Sequence, residues 1–90
     1  MNLNEALKKG VTAHQAGKLL EAEKFYTAIL KVQPEHPDAN HNIGLLAMQA
    51  GNSEQAQVYF QAALDANSAV AQFWLSYIDL SLYLGRVDEA

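Results

Sequence analysis

The sequence has 90 residues (9.9 kDa), half of them hydrophobic and 18 % charged, with no cysteine and a formal net charge of −4. One small domain fits that length, a catalytic fold with its own cleft does not fit it easily, and disulfide frameworks, thiolate zinc sites and cysteine nucleophiles are excluded. An acidic chain lacks the basic stripe that displaces phosphate counterions. The start MNLNEALKKG has no apolar core, and no stretch reaches the roughly 18 apolar residues of a membrane span, so the expectation is a cytoplasmic protein with neither nucleic acid nor membrane as partner.

Leu3, Ala6, Leu7, Gly10, Val11, Ala13 and His14 have helical spacing and predict a first helix over 3–16, running to Gly17. A second, 20–32, follows from Leu19, Leu20, Ala22, Phe25, Tyr26, Ile29 and Leu30, and Gln33-Pro34 stops it. Pro37 suits the first turn of a third, 37–50, whose inner stripe is Ile43, Gly44, Ala47 and Met48 and whose end is Gly51. Asn52 and Gln55 make a capping-box-like start to a fourth, 53–66, through Ala56, Phe60, Ala63 and Leu64. The fifth, 70–84, is apolar nearly all round and is expected to end at Gly85. The fold class is all-α, built of antiparallel helix hairpins.

A repeat orders these helices. Gly17, Gly51 and Gly85 recur at an interval of 34, as do Ala22, Ala56 and Ala90, with Gly10/Gly44, Leu30/Leu64 and the aromatic pairs Phe25-Tyr26 and Tyr59-Phe60 as further matched columns. Small residues at 10, 22, 44 and 56 allow paired helix backbones to approach closely, while Tyr26 and Phe60 fill the space toward the neighbouring repeat. A single hairpin cannot bury its apolar face, so each repeat leans on the next.

These residues resemble the tetratricopeptide repeat family, whose pattern is a Trp, Leu-Gly and an aromatic on the first helix, then Ala, an aromatic and Pro on the second. Repeat two, 37–70, fits best, with Ile43-Gly44, Ala47, Ala56, Phe60 and Ala63. Repeat one, 3–36, keeps Gly10, Ala13, Ala22, Tyr26 and Pro34; the truncated repeat three, 71–90, has Trp74 in the Trp column but Tyr77-Ile78 where Leu-Gly is expected. Lys9, Ile29 and Ser68 are further departures. The resemblance implies a right-handed solenoid of five helices in a single domain, 1–90. Because Ala90 only begins a sixth helix, the segment reads as the N-terminal part of a longer, bacterial array, similar to repeat regions that precede transferase domains.

No catalytic or metal constellation is visible, and no cofactor is expected. His14, His36 and His41 form no i, i+4 pair, and the periodic glycines read as packing and helix ends rather than a phosphate loop. His36, in the His-Pro-Asp turn, is expected to be structural. The resemblance implies instead a non-catalytic interaction module holding a peptide or protein on the concave face lined by the first helices. Helical phase puts Lys8, Val11, His41, Asn42, Leu45, Gln49 and Asp79 there, with Asn42 best suited to orient an extended backbone; a carboxylate clamp is not expected, since of its columns (Leu7, Val11, Asn42, Gln72, Ser76) only Asn42 matches. The alternative is a substrate-positioning or subunit-assembly arm of a larger transferase-type enzyme. Trp74, Tyr77, Ile78 and Leu82 on the fifth helix lack a covering helix, which predicts a homodimer through that helix.

Overall fold

The computed structural model describes residues 1–89, with side chains described through Gly85. Five helices follow one another: α1 (Leu3–Gln15), α2 (Leu19–Val32), α3 (Pro37–Gln49), α4 (Ser53–Ala66) and α5 (Ala71–Glu89). No strand occurs among the described residues. Four of the expected spans hold within a residue or so, and the fifth differs.

The two hairpin turns have the same construction. Gly17 and Gly51 take left-handed φ values of 78° and 84°. The Lys18 amide then donates to the Ala13 carbonyl and the Asn52 amide to the Ala47 carbonyl, both at 2.8 Å, closing a Schellman motif at the end of each first helix. Gly85 occupies the same column but stays within α5, so the expected helix end there is corrected: glycine permits the turn without imposing it, and no later helix among the described residues rewards the left-handed conformation. A capping box exists, but at α1 rather than α4. Asn2 Oδ1 accepts from the Glu5 amide (2.8 Å) while Asn2 Nδ2 donates to Glu5 Oε1 (2.9 Å), whereas the Asn52 side chain makes no capping bond. His36 has the structural role expected of it, its Nδ1 accepting from the Ala39 amide at the start of α3 (3.1 Å).

Alanine substitutions at these glycines are therefore expected to split by sign. At Gly17 or Gly51 a Cβ meets nothing within 4 Å, yet the left-handed backbone costs a side chain about 1–2 kcal/mol; at Gly85, also unobstructed but helical, alanine gains up to about 1 kcal/mol. Thermal melts of the three single variants check this, and a lowered melting temperature for Gly85→Ala would contradict a continuous α5.

Packing within a hairpin depends on bare backbone. A Cβ on Gly10 would lie 2.5 Å from Cε1 of Tyr26, and one on Gly44 2.6 Å from Cε1 of Phe60, so each ring sits on the helix backbone opposite. Tyr26, Phe60, Ala22 and Ala56 are fully buried as a result. Between repeats, α3 docks through Ala39, Ile43 and Leu46 onto a core containing Ala6, Ala13, Tyr26 and Ile29. α5 docks through Phe73, Tyr77 and Leu80 onto Ala56, Phe60, Ala63 and Leu64. These are the same three columns displaced by 34, so α5 joins the stack in register. The first helices α1, α3 and α5 form one layer and α2 and α4 the other.

Candidate interaction face

The α1–α3–α5 layer presents an apolar floor edged by polar groups. Val11 and Leu45 are half-buried, each packed into a core cluster beneath it, and Asn42 lies half-buried beside Leu45. Lys8, Gln49 and Asp79 are exposed. Six of the seven residues expected on this face thus reach solvent at least in part.

His41 does not. Its side chain is only 6 % exposed, with ring centroids 5.5 Å from Phe60 and 4.9 Å from Phe73, and its Nε2 shares a 2.8 Å hydrogen bond with Ser76 Oγ. The expectation that His41 lines the face is corrected: bulky Phe73 closes over it, whereas its counterpart Leu7 meets the small Ala39 and remains half-open. Burial in this aromatic slot pushes the imidazole pKa below its ordinary value; Asn42, by hydrogen bonding, and Asp38, by charge, oppose that shift without cancelling it. Ser76, placed on the face by helical phase, is buried with His41.

A second bond links α1 to α3. His14 Nε2 donates to Gln49 Oε1 (2.6 Å), with the His14 ring edge-on to Tyr26, so Gln49 is exposed but already engaged. Among the described residues no cluster of three or more His, Asp or Glu side chains could hold a metal, and no helix is long and apolar enough to cross a membrane.

Comparison with known proteins decides the family. The tetratricopeptide repeat family model matches residues 7–53 and 41–90. The chain belongs to the tetratricopeptide repeat family. Proteins named cellulose synthase operon protein C from Komagataeibacter xylinus are similar to it, at 33 % and 29 % identity over 69 residues, and one from Komagataeibacter sucrofermentans is 29 % identical. These alignments cover 77 % of this chain but 5 % of each relative, so the chain spans a small part of their length. Tetratricopeptide repeats generally mediate protein–protein interaction and are typically non-catalytic.

The tetratricopeptide Trp column has a visible task here. Trp74 Nε1 donates to the Ser68 carbonyl (2.7 Å), and Asn40, in the same column of repeat two, donates through Nδ2 to the Pro34 carbonyl (3.0 Å). Each side chain fastens the turn six residues before it, and Asn40, buried, adds a bond to the His36 carbonyl (3.0 Å). Of the four α5 residues expected to be uncovered, Trp74, Ile78 and Leu82 are exposed. Tyr77 is not among them, because it is half-buried in the α4–α5 core, and its place on the uncovered face is corrected.

Proposed function

We propose that this tetratricopeptide segment is a non-catalytic interaction module that holds an extended peptide or protein segment across the α1–α3–α5 face. The observation that carries the reading is the half-buried amide of Asn42 beside the apolar floor of Val11 and Leu45, flanked by exposed Lys8 and Asp79. An amide side chain can both donate to and accept from a peptide backbone, and the apolar floor supplies pockets for alternate side chains. The opposite charges at the two edges favour a ligand acidic near α1 and basic near α5. A cytoplasmic setting belongs to the same proposal and is checked by fractionation of cells expressing the full-length protein.

Peptides selected from a random display library on the immobilised 90-residue chain provide the test. Asn42→Ala is expected to weaken them by roughly 2–12-fold, the loss of one hydrogen bond worth about 0.5–1.5 kcal/mol, with the melting temperature unchanged. Equal affinity for variant and wild type would remove Asn42 from the site.

The second reading, an arm that positions substrate or assembles subunits for a larger enzyme, is favoured by the relatives named for a cellulose synthase operon, of which the matched region is 5 %. A catalytic domain in the gene beyond residue 90 would support it, and repeats alone would support the first. Both readings include self-association through α5 by way of Trp74, Ile78 and Leu82.

A further inference from the structure

The two ends of the array are chemically unequal. Each repeat docks on the one before through three columns, Ala39, Ile43 and Leu46 in α3 and Phe73, Tyr77 and Leu80 in α5. In α1 those columns hold Glu5, Lys9 and Thr12, all polar and all exposed. This end offers no apolar seat to a neighbouring repeat.

The α5 end is the reverse. Trp74, Leu75, Ile78 and Leu82 are 45, 56, 49 and 55 % exposed, and on a regular helix they fall within an arc of roughly 100°. Half-exposed side chains of this size, with their neighbours, offer about 500 Å² of surface per copy, more than the few hundred Å² soluble monomers usually leave in one apolar patch. Two such faces bury about 1,000 Å² together, near the lower limit for a specific interface. Ile78 also constrains the occupant. It stands 34 residues after Gly44, where the ring of Phe60 requires bare backbone. A ring-bearing second helix at that close spacing is thereby disfavoured, and a face of comparable aliphatic side chains at the ordinary 8–10 Å helix separation is suited.

Deepening the self-association reading above, on which this inference rests, we propose that the α5 face pairs antiparallel with the α5 face of a second copy about a two-fold axis at Ile78, closing the assembly at two chains. Trp74 and Leu82 lie one turn to either side of Ile78, so the symmetry sets the larger side chain of one copy against the smaller of the other. A head-to-tail arrangement would need an apolar acceptor at α1, and the exposed Glu5, Lys9 and Thr12 do not provide one. Since each chain carries a net charge of −4, salt is expected to strengthen this apolar contact.

Sedimentation equilibrium of the 90-residue chain from roughly 1 to 500 μM, in the range of weak dimers, tests the proposal together with oxidative cross-linking. The expected mass rises from one chain to a plateau at two. Ile78→Glu or Leu82→Glu, both at exposed positions, should raise the dissociation constant more than about tenfold with helicity intact. Because the chain has no cysteine, Ile78→Cys alone should cross-link to itself. Trp74→Cys should cross-link only when mixed with Leu82→Cys. Mass growing past two chains would overturn closure while leaving self-association in place. A plateau at two chains without a cross-link at 78 would overturn the two-fold through α5. A single 9.9 kDa species at every concentration would overturn both this proposal and the self-association reading, and would leave the face to another segment or protein.

Discussion

Gly44→Ala is expected to destabilise the chain by about 1–3 kcal/mol even though alanine is the better helix former. Removing a helix-interior glycine gains up to about 1 kcal/mol of propensity, so the sign depends on what the new methyl group meets. It meets Cε1 and Cδ1 of Phe60 at 2.6 and 2.7 Å and Cβ of Tyr59 at 3.3 Å. The Phe60 ring cannot swing aside, because it is fully buried among Ala56 and Leu80 with His41 tilted against it. The helices must separate, and the melting temperature should fall by roughly 4–8 °C for each kcal/mol in a domain of this size. Phe60→Leu removes the obstructing ring. The double variant should therefore be more stable than the two single losses predict, with a coupling of about 0.5–3 kcal/mol. Strict additivity in a urea-denaturation cycle would show that Gly44 and Phe60 do not share this contact.

The period, the hairpins and the use of small residues where rings approach were legible because each is a property of one column repeated at 34, and Gly10 with Tyr26 repeats what Gly44 does with Phe60. The inter-repeat polar bonds were not. His14 with Gln49 and His41 with Ser76 are both separated by 35 residues, one more than the period, because neighbouring first helices are staggered rather than matched column to column. Nothing in composition or hydrophobic spacing reports that offset. The exposure of His41 was misjudged for a related reason. Helical phase tells which side of α3 the ring leaves from, but the neighbouring column holds Phe73 where α3 itself has Ala39, and a bulky neighbour turns a surface position into a core one. Gly85 shows a different limit: a residue that tolerates both helix and turn cannot by itself say which is adopted.

Acid is expected to weaken the docking of α5 through His41. The neutral imidazole is accommodated between Phe60 and Phe73 and bonded to Ser76, whereas a proton would place a charge between two rings where little water reaches it. α4 contributes Phe60 and α5 contributes Phe73 and Ser76 to this slot; the opposing carboxylate, Asp38, belongs to α3 and does not hold the pKa up. With the folded-state pKa below the unfolded value of about 6.5, the unfolded chain binds more protons in the interval between them, so His41 contributes stability in full above about pH 6.5. That contribution declines as pH falls through the folded pKa. Urea titrations from about pH 8 to pH 5 should show a declining midpoint for the wild type. His41→Gln, which keeps a polar side chain but does not titrate, should lose the His41 share of that decline. Ser76→Ala, which leaves Nε2 without its partner, should cost about 1–3 kcal/mol near neutrality, the penalty for an unsatisfied buried polar atom. Superimposable pH profiles for the wild type and His41→Gln would mean that the ring remains accessible to water, and the aromatic slot would then not govern how repeat three attaches to repeat two.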